Sequence, residues 1–265
     1  MMRVALGVAY DGTSFCGWQS QPNQCGVQDA LELAIASIAQ HQVRVHVAGR
    51  TDAGVHGLGQ VVHFDTEVHR PVSAWVRGVN AHLPATIRVE WAHIVSDEFH
   101  ARFSAHARSY QYLLYNAPVA SALMSTKVGW FHMPLNVSSM TTAANYLIGE
   151  HDFSAFRASE CQAKSPIKHL YQANVKAQGQ YIIFEFTGSA FVQHQVRNMV
   201  GALIYVGKGA HPPEYLQELL YKKDRTVSPP TFSPAGLYLT HVKYDEKWGL
   251  PNQQLSMQRS VQILI

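Results

Sequence analysis

Asp52 sits in the run Gly49-Arg50-Thr51-Asp52-Ala53-Gly54-Val55-His56-Gly57, a glycine-flanked loop unusually long for a hairpin. An aspartate two residues before a glycine is ordinary turn chemistry: the carboxylate caps its own backbone and the glycine supplies positive φ. A carboxylate beside a cation such as Arg50 also stays ionised, available as a nucleophile or a base. Arg197 lies in the otherwise apolar run from Phe191 to Val206, with Gln193, His194 and Gly201 one helical turn away. It is either a solvated or structural arginine, or one that orients a catalytic aspartate through an ion pair. In Arg108-Ser109-Tyr110-Gln111-Tyr112, strand alternation sends Arg108, Tyr110 and Tyr112 to one face. Rings that stack bases beside guanidinium groups that hold phosphates suit single-stranded RNA, and half-buried tyrosines are equally common in sheets.

Metal and disulfide chemistry find little support. The 15 histidines are scattered, without the i, i+4 pairing of a helical zinc site. Cys16, Cys25 and Cys161 are odd in number and lack C-x-x-C spacing, which argues against a disulfide framework and a zinc knuckle. The chain of 265 residues carries a net charge of +3, unevenly spread. Residues 1–104 hold 7 basic and 9 acidic side chains, whereas residues 105–265 hold 14 and 9. A second half at +5 suits a polyanionic partner, and chance clustering of solubility charge accounts for it equally well. No apolar run approaches the roughly 18 residues needed to cross a bilayer. The start, Met1 to Gly7, leads into a strand pattern without a signal-peptide cleavage site, so a cytoplasmic location is expected.

The elements that must position these residues follow from periodicity. Strands are expected over Arg3–Tyr10, Val43–Ala48, Gln60–Phe64 and Thr86–Val95, with helices over Val27–Ala39 and Val72–Leu83. The second half repeats that order. Its strands are Arg108–Asn116, Ile167–Ala177, Tyr181–Phe186 and Leu237–Tyr244, and its helices Ser138–Ile148, Phe191–Val206 and Pro213–Tyr221. Gln178-Gly179-Gln180 marks a hairpin. The expected fold is therefore α+β: two tandem ferredoxin-like β-α-β-β-α-β halves, 1–104 and 105–247, with mainly antiparallel sheets, and a tail over 248–265.

Six ordered segments resemble the tRNA pseudouridine synthase A family. They are Tyr10-Asp11-Gly12-Thr13 with Gly17-Trp18-Gln19; Gly49 to His56 with Gly59-Gln60-Val61; and Phe99 to Ala105 leading into Tyr110-Gln111-Tyr112. Further on come His151-Asp152-Phe153, Val196 to Gly201, and Pro234 to Leu239. Asn136 departs from the aspartate the family often has after Pro-Leu, and the tail beyond Trp248 matches nothing in the pattern. The resemblance implies isomerisation of uridines at tRNA positions 38–40 in the anticodon stem-loop, an RNA cleft between the halves and a homodimer. It makes Asp52 the catalytic carboxylate, Tyr110 the ring packed on the target base and Arg197 the partner of Asp52, while Arg50 would grip phosphate. No cofactor and no metal are implied, because every atom of the product is already in the substrate. Two other readings compete: a non-catalytic RNA-binding module, which has no reason to hold an acid where phosphates approach, and a histidine-based metalloenzyme.

Overall fold

The apolar and alternating runs become strands β1 (Met2–Tyr10), β2 (His46–Val47), β3 (His56–Thr66), β4 (Ile87–Val95), β5 (Ala105–Asn116), β6 (Gly129–Phe131), β7 (Gly149–Asp152), β8 (Ile167–Gln178), β9 (Tyr181–Gly188) and β10 (Leu237–Tyr244). The helices are α1 (Val27–Ala39), α2 (Val79–His82), α3 (Val137–Asn145), α4 (Gln195–Gly207) and α5 (Tyr215–Lys222). They are seen in a computed structural model that describes residues 1–251 and 261, so most of the expected tail lies outside the described residues. The chain divides into two units, Met1–Arg108 with the segment from Tyr238 onward, and Ser109–Leu237. Both are mixed α/β, with mostly antiparallel strands.

In the first unit the strand order is β4-β1-β3-β10, with β2 also on β3. β1 lies between β4 and β3, and Val4 to Val8 are all buried, so both of its faces are covered. Leu6 stands opposite Val62 on β3 and Ala92 on β4, both antiparallel, and Tyr238 of β10 pairs in parallel with His56 of β3. Val27, Leu31, Ala34 and Ile35 recur at helical spacing and turn one face of α1 onto Val4, Leu6, Val8, Phe64 and Trp75. Each large side chain in that layer contributes roughly 1.5–3 kcal/mol by leaving water.

In the second unit the order is β5-β9-β8-β7, with β6 parallel to β5. β8 and β9 form the expected hairpin: Gln178 pairs with Tyr181, and Gly179 takes φ +58°, a conformation that strains other residues. Asn136 caps α3 by accepting the Ser139 N–H at 3.0 Å, so at this point asparagine serves as an aspartate would.

The structure corrects several expectations. Only His46 and Val47 of the run from Val43 to Ala48 form a strand; the Val45 N–H instead donates to Glu32 Oε1 at 2.9 Å, which ties that residue to α1. α4 starts at Gln195 rather than Phe191, because His194 adopts φ 64° and breaks the helical path. The expected helix over Val72–Leu83 is a π-helical turn, Ala74–Gly78, running into α2. Gly78 faces Ile38 of α1 there, and a β-carbon on it would lie 2.8 Å from Cδ1 of that side chain. Strands β6 and β7 were not expected, being too short to show alternation. Cys16 and Cys25, expected to be unpaired, are joined by a disulfide across the β1–α1 loop with their Cα atoms 5.4 Å apart. They stand nine positions apart, so no motif spacing announced the pair. Among the described residues, no helix is long and apolar enough to cross a membrane.

Candidate active site

The segment from Gly49 to Val55 joins β2 to β3 and is fixed from several sides. Asp52 opens a turn in which its carbonyl accepts the Val55 N–H at 3.1 Å, and Gly54 takes φ +76°. The turn read from Asp-x-Gly is therefore present, with glycine at positive φ and the backbone carbonyl of Asp52 closing it. Thr51, buried beside it, meets the Tyr10 hydroxyl at 2.8 Å through Oγ1. Gln60 Nε2 donates to the Gly49 carbonyl at 2.7 Å and to the Tyr10 oxygen at 3.4 Å. The Tyr10 and Thr51 hydroxyls share one hydrogen bond that either can donate. Burial pushes the Tyr10 phenol up to about 12, so it remains protonated. The Trp18 N–H donates to the Thr51 carbonyl at 2.9 Å, which lays the β1–α1 loop on the aspartate segment. Gly17 makes that approach possible: it takes φ +100°, and a β-carbon there would lie 2.8 Å from the Thr51 carbonyl oxygen. Arg108 supports the start of the segment by donating to the Ala48 carbonyl at 3.0 Å.

The result is a half-buried carboxylate on a loop whose neighbours are anchored by side chains from β1, β3 and β5. Fixed donors and anchors of this kind hold a reactive group in one geometry. Arg50 is exposed on the same loop. His56, at the start of β3, accepts the Gly12 N–H at 3.1 Å and stacks on Tyr238 with ring centroids 4.7 Å apart.

Tyr110 and Arg197 belong to the second unit. Tyr110 is buried on β5, its ring meeting Phe191 edge-on at 5.0 Å. Arg197, half-buried in the first turn of α4, donates through Nε to the Phe232 carbonyl at 2.8 Å, and its own carbonyl accepts the Phe232 N–H at 3.4 Å. The segment from Phe232 to Gly236 also holds β5: Tyr112 donates to the Ser233 carbonyl at 2.9 Å, and the Leu113 N–H to the Gly236 carbonyl at 2.8 Å. One segment thus supports both the strand of Tyr110 and the guanidinium of Arg197. Next to Arg197, Asn198 donates to the Phe156 carbonyl at 2.7 Å and accepts from Arg225 at 3.2 Å, fixing the start of α4.

The supports Tyr10, Thr51, Gln60 and Asn198 were not singled out from sequence. All four do lie inside the family-like segments, but their partners are long-range and leave no local trace.

The first unit thus carries the Asp52 carboxylate, and the second carries the Tyr110 ring and the Arg197 guanidinium. The family described as tRNA pseudouridine synthase matches residues 7–104 and 143–245. The tRNA pseudouridine synthase A of Methylobacillus flagellatus is 62% identical over 257 residues, covering 97% of this chain and 98% of the relative. That of Burkholderia thailandensis is 55% identical over 254 residues, covering 96% and 94%. A solved archaeal box H/ACA sRNP Nop10-Cbf5 complex aligns with a TM-score of 0.35 at 12% identity, over 76% of this chain and 43% of that one, too remote to carry an argument. The matched segments and near-full-length identities agree: the chain belongs to the tRNA pseudouridine synthase family.

Proposed function

We propose that this protein isomerises uridines at positions 38–40 of the tRNA anticodon stem-loop to pseudouridine, with Asp52 as the catalytic carboxylate. The observation that supports it best is the anchored Asp52 loop in a chain of this family, with Thr51 held by Tyr10 and Gly49 by Gln60. In the reaction the C1′–N1 bond breaks, the uracil turns and C5 bonds to C1′. The C5 hydrogen leaves as a proton and N1 gains one, so the balance needs no cofactor and no metal. An ionised aspartate can attack C1′, add to C6 or assist departure of the base. Arg197 is the guanidinium partner of that carboxylate, its orientation already set by the Nε contact to Phe232. Tyr110 replaces the stacking that the uridine loses on leaving the RNA, and its hydroxyl is the candidate proton relay at C5. Arg50, exposed on the aspartate loop, meets phosphate. The same reading extends to tandem ferredoxin-like halves, a homodimer and a cytoplasmic location.

The test is tRNA carrying tritium at uridine C5. The protein is expected to release tritium, and carbodiimide-dependent reverse-transcription stops should map to positions 38–40. Tight tRNA binding with no release would favour the passive RNA binder instead.

A further inference from the structure

The turn from His100 to Ser104 in the first unit has no role in the chemistry above, yet it is built rigidly. His100 Nδ1 accepts the N–H groups of Arg102 at 3.1 Å and Phe103 at 3.4 Å. The His100 N–H donates to Ser104 Oγ at 3.0 Å, and the Ser104 N–H returns to the His100 carbonyl at 2.9 Å. This turn holds the Phe103 ring 75% exposed. The imidazole of His100 lies 4.3 Å from that ring and the Arg102 guanidinium 5.7 Å from its centroid. His46, exposed on β2, continues the cluster 5.3 Å from His100.

Isolated exposed apolar residues are common on protein surfaces and need no explanation. Phe103 differs in its setting. A ring fixed in water beside a guanidinium and two imidazoles offers a π-face for a nucleobase and a cation for its phosphate. Asp65, the carboxylate facing His46 and His63, is occupied by Arg3 through a two-point pair at 2.7 and 2.8 Å, so it leaves the charge of Arg102 in place. Arg108 also ties the patch to the active loop, since its Nη2 donates to the carbonyls of both Arg102 at 2.7 Å and Ala48 at 3.0 Å. The ring therefore stands at a fixed offset from the segment that carries Arg50 and Asp52.

We propose that Phe103 stacks a nucleobase of the tRNA other than the reacting uridine, with Arg102 and His46 meeting the adjoining phosphates; this rests on the tRNA substrate named above. A second platform would set the register of the RNA on the protein, leaving Tyr110 to the reacting base.

Fluorescence anisotropy with a labelled anticodon stem-loop RNA tests this on the full chain. Phe103→Ala should weaken binding about 5- to 150-fold, the range that loss of one stacked base produces. Phe103→Trp should bind within about twofold of the parent, because indole stacks at least as well. Phe103→Leu, apolar without a π-face, should stay weak. Wild-type affinity in the alanine variant, or equal affinity for leucine and phenylalanine, overturns the proposal. So does a shift of the alanine variant to a smaller species in sedimentation, which would assign the ring to contact with a second copy of the chain. The two readings fail separately: a parent protein that binds RNA through Phe103 but releases no tritium sinks the isomerase, and one that releases tritium while Phe103→Ala binds normally sinks the platform.

Discussion

The Tyr10 hydroxyl lies 2.8 Å from Thr51 Oγ1, and Thr51 immediately precedes Asp52. A strand of the central sheet thereby holds the residue next to the proposed catalytic carboxylate. Thr51→Val keeps the shape but removes the hydroxyl, leaving a buried phenol short of a partner at a cost of about 1–3 kcal/mol. Turnover should fall roughly 10- to 100-fold with tRNA affinity within a few-fold, because small misplacements of a reacting group are expensive. Thr51→Ser should restore most of the rate. Single-turnover kinetics and thermal melting on the three proteins check it; equal rates for valine and serine would show that the contact is only structural.

Arg197→Lys should not behave as a conservative change. Lysine keeps the charge but cannot hold the Phe232 carbonyl through Nε while presenting a planar fork to a carboxylate. Turnover should drop by about tenfold or more with little change in tRNA affinity. A lysine variant with the parent rate would mean that the guanidinium serves only to tie α4 to the segment at Phe232.

Tyr110 has two proposed tasks that substitutions can separate. Tyr110→Phe keeps the ring against Phe191 and the stacking surface, so tRNA binding and early bond breaking should persist while completion slows. Tyr110→Leu should fail before any covalent change. Product formation in single turnover, with gel detection of protein adducts on RNA containing 5-fluorouridine, distinguishes them. If both variants are fully active, Tyr110 is a core residue of β5 and nothing more.

Much of this arrangement was legible in the sequence where the signal is local. α1 was read at its true ends because Val27, Leu31, Ala34 and Ile35 keep helical spacing, and the β8–β9 hairpin because glycine marks its turn. The position of Asp52 on a loop between strands was legible for the same reason. What was not legible depends on partners distant in sequence. Val43 and Val45 read as strand from their side chains, but both are drawn into the core beside α1, where Glu32 takes the Val45 N–H. The clamp on the Asp52 loop joins residues 10, 51 and 60, and the disulfide joins residues 16 and 25. Neither leaves a period or motif behind, and both emerge only when β1, its loop and β3 are side by side.

Stability should be lost in mild acid through His63. Burial first, then the neighbouring His100 and His46, pulls its pKa down to about 3, while its Nδ1 accepts the Ala101 N–H at 3.1 Å. In the unfolded chain it titrates at about 6.5. Between those values the unfolded state binds a proton that the folded state refuses, so this contribution is intact above about 6.5 and falls as pH drops toward 3. The slope from this one group is at most about 1.4 kcal/mol per pH unit. Melting at pH 7 and pH 5 should show a lower Tm in acid, and His63→Gln should lose less between the two. An identical loss in that variant would place the acid sensitivity elsewhere.

The most direct measurement is tritium release from C5-labelled tRNA by Asp52→Asn beside the unsubstituted protein, with tRNA binding measured on the same samples. Asparagine keeps the size of the side chain and leaves the backbone turn at Val55 unchanged, but it cannot act as a nucleophile. Binding should stay within a few-fold, since affinity for RNA comes mainly from many phosphate contacts, and release should vanish. Substantial tritium release from the asparagine variant, with binding intact, would contradict Asp52 as the catalytic group.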